Sequence, residues 1–373
     1  MSAITHDSSA AAASAAPDVQ ATEPACRDAK ATRAARPLKI FVRAAFLLFL
    51  IAGTVWAVRR HANLPWQADE GAAFGTYYHA TYRCADNLHD ALKAELARID
   101  ASLSLFNKES LLTRLNSNAT DETDTLFRTV FRRALQVSEA TGGAFDITVG
   151  PLVKAWGFGP DGRKSPTDAA VDSLRAFVGY TKVSLVGTRL AKADPRVQID
   201  LGAIAKGFAV DRLAAVLAAH GVEDYMVEIG GEIVARGVNR DAKPWTVGVV
   251  RPTTEDAAAG ALQTVVALGT GAVATSGNYL NFYKAGGQRV AHTIDPRTGR
   301  PAAQTLLSAT VVAPDCATAD AFATAFMTLG LDSARAITTS HRGLEALLIH
   351  AAADGTMQVW QSDGFPREAN RHP

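Results

Sequence analysis

Cysteine is scarce. Only Cys84 and Cys316 lie beyond residue 60, too few for a disulfide scaffold and wrongly spaced for a zinc site, so the two either pair or stay free. Charge of one sign is missing as well. The 38 Lys and Arg are balanced by 37 Asp and Glu, leaving a net +1 and no basic stripe, which sets nucleic acid aside. A Walker A loop is also absent: Lys206 precedes Gly207 and Phe208 follows it, so a P-loop NTPase is disfavoured. There is no redox cysteine pair and no internal repeat.

What is present starts with a hydrophobic fraction of 48% over 373 residues, enough for a sizeable core. Residues 1–38 are rich in Ala, Ser and Asp and read as a disordered cytoplasmic tail. Within residues 39–60, the stretch 40–58 is almost wholly apolar, interrupted only by Arg43, with 15 uncharged residues between Arg43 and Arg59. A transmembrane helix takes about 20 such residues and a secretory signal about 7 to 15, so the segment is either a signal anchor or a signal peptide. Arg27, Lys30, Arg33, Arg36, Lys39 and Arg43 precede it and only Arg59 and Arg60 follow closely, which puts the amino terminus inside and residues 61–373 outside. Leu50-Ile51-Ala52-Gly53 would make a lipoprotein box if Thr54 were cysteine, so lipid anchoring is not expected.

The stretch 199–233, IDLGAIAKGFAVDRLAAVLAAHGVEDYMVEIGGEI, organises the rest. It reads as a short strand, a glycine-punctuated turn, a helix ended by Gly221, a second strand and a double glycine. Lys206 sits where the helix's first free N–H groups gather, a place that attracts phosphate; a tight turn with a solvated lysine fits the same residues. Upstream, residues 74–83 read as a strand and 87–105 and 126–140 as amphipathic helices. Ser110 or Asn107 is the expected cap of a further helix, 164–177 a surface helix, and 180–190 with 197–201 a hairpin. Downstream, strands at 233–237, 245–250, 262–268 and 272–276 follow one another, which favours antiparallel pairing and an α+β class, a mostly antiparallel sheet core with flanking helices. Residues 317–330 read as a helix with Thr318 as N-cap and Gly330 past its end.

Asp320 and Thr324 are four residues apart and share one helix face. A carboxylate and a hydroxyl so placed offer hard oxygens to Mg²⁺, which takes few protein ligands and completes its shell with phosphate and water. Helix-dipole compensation by Asp320 and back-bonding by Thr324 is the plainer alternative. Five stretches carry more than any one of them: TGGAFDITVGPLVKAWGFG at 141–159, IDLGAIAKGFAVD at 199–211, EIGGEI at 228–233, ATSGNY at 274–279 with HTIDPRTG at 292–299, and TADAFAT at 318–324. In order and spacing they resemble the ApbE family of Mg-dependent FAD:protein FMN transferases, from about Gly71 to the C-terminus.

The resemblance implies an ApbE-like, T-fold-like domain that moves FMN from FAD onto a threonine hydroxyl of an acceptor protein and releases AMP. It implies metal ligands Asp320, Thr324 and the Ala203 carbonyl, and a flavin site of Phe74, Phe106, Asn107, Ala144, Phe145, Asp146, Asp200, Lys206 and His292. Lys206, Asp200 and His292 are the catalytic candidates, His292 as the base, because imidazole titrates in the useful range. Phe74 departs from the family pattern, which often has Met there. The implied partner is a subunit of a membrane redox complex, and the implied location the bacterial inner membrane with the catalytic domain facing the periplasm. The rivals are a Mg-dependent FAD pyrophosphatase with the same site, a non-catalytic FAD-binding protein, and a membrane-anchored interaction module.

Overall fold

In the computed structural model the described residues are 35–62, 64–158, 166–252, 261–277, 282–285, 288–291, 293–302 and 305–369. They form two units, divided after residue 63. The first holds one helix, α1 (Ala35–Ala62), whose apolar side chains from Ile40 to Val55 are exposed. Among the described residues no helix is long and apolar enough to cross a membrane. The fifteen uncharged residues between Arg43 and Arg59 reach only about 22 Å at about 1.5 Å per helical residue, against a hydrocarbon core of about 30 Å. The expected 1–38 tail lies mostly outside the described residues.

The second unit opens with a hairpin, β1 (Trp66–Ala73) and β2 (Thr76–Arg83), turned by Phe74 and Gly75, both at positive φ. Three helices follow, α2 (His89–Leu103), α3 (Leu111–Asn116) and α4 (Thr125–Ala140). Ser110 caps α3 by accepting from the Thr113 N–H, as expected of it. Two short helices, α5 (Gly150–Ala155) and α6 (Asp168–Arg175), lead to the small hairpin β3 (Val183–Val186) and β4 (Arg189–Lys192). Then come α7 (Ala205–Ala219), β5 (Tyr225–Ile229), β6 (Glu232–Arg236), β7 (Thr246–Val250), β8 (Leu262–Ala267) and β9 (Gly271–Gly277). Two minor ribbons, β10 (Phe282–Ala285) with β11 (Gln288–Ala291) and β12 (Ile294–Asp295) with β13 (Arg300–Pro301), precede β14 (Leu306–Ala313). The chain ends with α8 (Cys316–Leu329), α9 (Leu331–Ser340), β15 (Glu345–Ala351) and β16 (Met357–Gln361).

Eight strands form one sheet in the order β1-β2-β5-β6-β9-β14-β15-β16, and every neighbouring pair is antiparallel. The α+β expectation is met. Side chains alternate between two cores as the pleat requires. Tyr78, Tyr82, Val227, Ala274, Val311 and Leu348 face α2, α4, α7 and α8 in the main core. Ile233, Val273, Leu347 and Ile349 face the β7–β8 ribbon, Trp245 and Phe365 on the other side. An antiparallel sheet can leave one face wet; here both are covered. A third, smaller core of Leu152, Val171, Val178 and Ile294 holds α5 and α6 against the β12–β13 turn.

Two expectations need correction. Residues 197–201 form no strand, because Ile199 pairs with a side chain instead of a backbone: Asn116 Nδ2 donates to its carbonyl at 2.8 Å and its N–H donates to Asn116 Oδ1 at 2.7 Å. The N-cap of α8 is Asp315, whose carboxylate accepts from the Thr318 N–H at 2.8 Å and the Thr318 hydroxyl at 2.7 Å. Thr318 is the partner of the cap.

Helices α7 and α8 close each other's N-termini. The Cys316 and Ala317 N–H groups donate to Asp211 of α7 at 2.8 and 2.9 Å, and the Gly207 N–H donates to Asp320 of α8 at 3.0 Å. A Cβ on Gly207 would overlap the Cys316 carbonyl and stand 2.8 Å from the Asp320 Cβ. Gly207→Ala should therefore lower stability by about 1–3 kcal/mol through overpacking, read as a shifted midpoint in urea. Burial raises the Asp211 carboxyl to about 7, although both N–H groups favour its charged form. The folded state thus holds a proton that the unfolded chain releases near 4, and this contribution is complete below about 4 and lost as pH rises through about 7. In Asp211→Asn that loss should vanish, so wild type should lose more stability than the variant between pH 4 and pH 7 in paired urea titrations.

Candidate active site

The turn before α7 is shaped by one carboxylate. Asp200 Oδ1 accepts from the Gly202 N–H at 2.8 Å, and the Asp200 N–H donates to the Ile147 carbonyl at 2.6 Å, tying this turn to the 144–149 loop. Burial pushes the Asp200 carboxyl up, against the pull of that N–H. In the facing loop Asp146 Oδ1 accepts from the Thr148 N–H and hydroxyl at 2.7 and 2.6 Å, and Oδ2 accepts from the Tyr180 N–H at 2.6 Å. Burial raises its carboxyl too, while those donors and the Lys182 charge oppose the rise. Asp146 is therefore chiefly a brace for its own loop.

The Gly207 N–H, spent on Asp320, is not given to the carbonyl four residues back. Among the described residues no hydrogen bond reaches the Ala203 carbonyl, and none takes the Lys206 backbone N–H. Lys206 sends its ammonium to Glu232 of β6, with Nζ 2.5 Å from Oε1. Glu232 is 3% exposed, and among the described residues its other oxygen has no hydrogen-bond partner. The Gly230-Gly231 turn that delivers it has φ of 62° and 105°, which a two-residue hairpin loop requires and glycine supplies without strain. On α8, Asp320 is 3% exposed, and the Thr324 hydroxyl lies 3.2 Å from the Ser276 hydroxyl of β9.

These groups converge on one cavity of about 410 Å³ between the main core and the small one. Ala144, Phe145, Asp146, Asp200, Ala203, Lys206, Asp320 and Thr324 all line it, so eight of the residues expected from sequence meet in space. Three do not. Phe74 sits in the β1–β2 turn and packs on the main core. Phe106 is 81% exposed. Asn107 spends its amide on Asp100 at 2.7 Å and its side-chain oxygen on the Glu109 N–H at 3.0 Å, which makes it a loop brace. His292 lies outside the described residues; its neighbour Thr293 lines the cavity. Glu232, Thr275 and Ser276 line it without having been singled out. The signal for Glu232 was the acid directly after the double glycine of EIGGEI.

The electrostatics are unbalanced toward the negative. Burial pushes Glu232 up to about 8, with the nearby Asp320 charge adding to the rise and Lys206 opposing it. Burial also raises Asp320, against Lys206 and the Gly207 N–H. Burial alone would lower the Lys206 ammonium, but the charges of Asp320 and Glu232 outweigh that and raise it. One ammonium thus faces two carboxylates whose ionisation is costly where they stand. Added positive charge relieves this. The oxygens at hand are the Asp320 carboxylate, the Thr324 hydroxyl and the unclaimed Ala203 carbonyl, a hard set suited to Mg²⁺ and unsuited to softer metals.

Comparison with known proteins identifies the family. Residues 74–348 match the model of the ApbE family. The FAD:protein FMN transferase of Vibrio cholerae is 37% identical over 309 residues, 79% of this chain and 91% of that protein. The one of Haemophilus influenzae is 39% identical over 281 residues, 71% of this chain and 81% of that protein. Among solved structures, the flavin transferase ApbE from Vibrio cholerae superposes with a TM-score of 0.74 at 35% identity, covering 81% of this chain and 98% of that one. The apo form of the Pseudomonas stutzeri flavinyl transferase ApbE gives 0.73 at 31%, covering 81% and 96%. With its large antiparallel sheet, its helical layer and its matched motifs, the chain belongs to the ApbE family.

Proposed function

We propose that this chain is a Mg²⁺-dependent FAD:protein FMN transferase that moves FMN onto a threonine hydroxyl of an acceptor protein and releases AMP. The observation that carries the proposal is the shared cavity in which Asp320, Thr324, Ala203 and Lys206 meet. Asp320, Thr324 and the Ala203 carbonyl would hold the cation, which when bound supplies Lewis-acid stabilisation to a diphosphate. The rest follows from the chain's own groups. The Lys206 side chain and its unclaimed backbone N–H at the α7 N-terminus suit phosphate oxygens. In the transfer, the threonine oxygen forms a bond to the phosphorus on the FMN side, the bond from that phosphorus to the AMP oxygen breaks, and AMP leaves with the electron pair. The hydroxyl proton goes to a nearby base, for which His292 is the candidate next to the lining residue Thr293.

The family relatives named as FAD:protein FMN transferases support the donor and the acceptor class. A threonine-bearing subunit of a membrane redox complex is the proposed acceptor. The apolar residues between Arg43 and Arg59 would serve as signal peptide or anchor, with residues 61–373 facing the periplasm.

The deciding assay mixes the protein with FAD, Mg²⁺ and a candidate acceptor, and looks for flavin fluorescence on the denatured acceptor band. Label on that band with one AMP released per flavin supports transfer. Free FMN with an unlabelled acceptor shows the pyrophosphatase instead, and intact FAD shows a flavin-binding protein. Asp320→Ala should lower turnover by at least about 3 kcal/mol in the barrier, as loss of one electrostatic stabiliser does, and excess Mg²⁺ should not restore it. Full activity would remove Asp320 from the metal site. For His292→Ala the expected outcome is slower transfer with FAD still bound, together with loss of the rate's dependence on pH near 6 to 7. An unchanged pH profile would remove His292 as the base.

A further inference from the structure

Lys206 is surrounded by two buried carboxylates but pairs with one. Its ammonium is 2.5 Å from Glu232 Oε1, and among the described residues it makes no ion pair with Asp320, although the nearby Asp320 charge favours its charged form. Asp320 is in turn held by the Gly207 N–H at 3.0 Å through a single oxygen, Oδ2. If the ammonium lay on the other oxygen, the carboxylate would be fully engaged and neutralised, and a cation would have to displace a lysine to reach it. Burial makes such a lysine–aspartate pair hard to break once formed.

We infer that Glu232 is a positioning residue that holds the Lys206 ammonium away from Asp320, keeping that carboxylate open to a hard divalent cation. Three features support the assignment. Glu232 is fixed at the first residue of β6 by the Gly230-Gly231 turn, so it does not follow Lys206 toward α8. Among the described residues its second, buried oxygen has no side-chain partner, which fits a carboxylate retained for the sake of the ammonium. And the placement suits a diphosphate: with Lys206 held by Glu232 and a divalent cation on Asp320, both positive groups would be at hand when the diphosphate arrives.

The inference rests on the proposed metal site, and the test separates the two. Binding of Mn²⁺, as a hard divalent probe, is followed by the electron paramagnetic resonance of the free ion with the full chain and no FAD. Glu232→Gln should weaken binding by at least about tenfold, and the double variant Glu232→Gln with Lys206→Met should recover most of that loss. A crystal structure of metal-free Glu232→Gln should place the Lys206 ammonium within hydrogen-bond distance of Asp320. If Lys206 stays off Asp320 in that structure, or the double variant binds as weakly as the single one, the positioning role is overturned while the metal site stands. Should Asp320→Asn bind Mn²⁺ as tightly as wild type, the metal site itself is wrong, and the role of Glu232 falls with it.

Discussion

Two helices in this fold close each other's N-termini, and the site exists because of how they do it. A helix end leaves its first N–H groups without partners inside the helix. Asp211 of α7 takes those of Cys316 and Ala317, and Asp320 of α8 takes that of Gly207. The contacts run in opposite order, residue 207 against 320 and 211 against 316, so the two helices pass each other in opposite directions with their first turns side by side. That approach is close enough to exclude a Cβ at Gly207. It also diverts the Gly207 N–H from Ala203, leaving a main-chain oxygen unclaimed beside a carboxylate. The metal ligand set expected from the family resemblance is therefore a by-product of helix capping.

The rest of the fold holds this clasp in place. Alanines at 317, 319, 321, 323 and 325 are all buried, which lets α8 lie against β9, β14 and α7 at once. Large side chains at those positions would push the helix off the sheet and pull Asp320 away from Gly207. The sheet in turn delivers Glu232 through the Gly230-Gly231 turn and Ser276 through β9, on the side that faces α7 and α8. Ionised carboxylates in this setting oppose folding, as the raised values of Asp211, Glu232 and Asp320 show. A domain with so large a main core can tolerate that opposition.

Legibility in the sequence followed the physical signal. Long amphipathic helices came through within a few residues: α4 runs over Thr125–Ala140 where periodicity marked 126–140. Strands 233–237 and 262–268 were legible for the same reason, with alternation and bounding turns. β1 was missed because WQADEGAA carries little β signal; its place at a sheet edge, paired on one side only, asks for less. The strand expected at 197–201 failed because the partner of Ile199 is the side chain of Asn116, a distant contact that no local pattern announces. Motif residues at the site were found by their company, and eight of them line one cavity. Phe106 and Asn107 belong to a loop whose shape is set by Asp100, Ser104 and Ser110, and motif spacing says nothing of where such a loop points.

Side-chain length makes the last link between capping and chemistry. Asp320 reaches the Gly207 N–H with one oxygen and, among the described residues, keeps the second uncommitted, which requires that its Cβ stand near the Gly207 backbone. A glutamate there would carry the carboxylate about one methylene further and, with rotamers limited by the buried wall of α8, would either overrun Gly207 or turn both oxygens away from it. The N–H would then be free to return to Ala203, and that carbonyl would no longer be unclaimed. Gly207, Asp320 and Ala203 thus form one unit: the glycine admits the aspartate, the aspartate takes the N–H, and the N–H releases the carbonyl. Lys206, the residue beside that glycine, is presented to the cavity by the same turn, so a single short stretch before α7 supplies both the unclaimed carbonyl and the ammonium that line it.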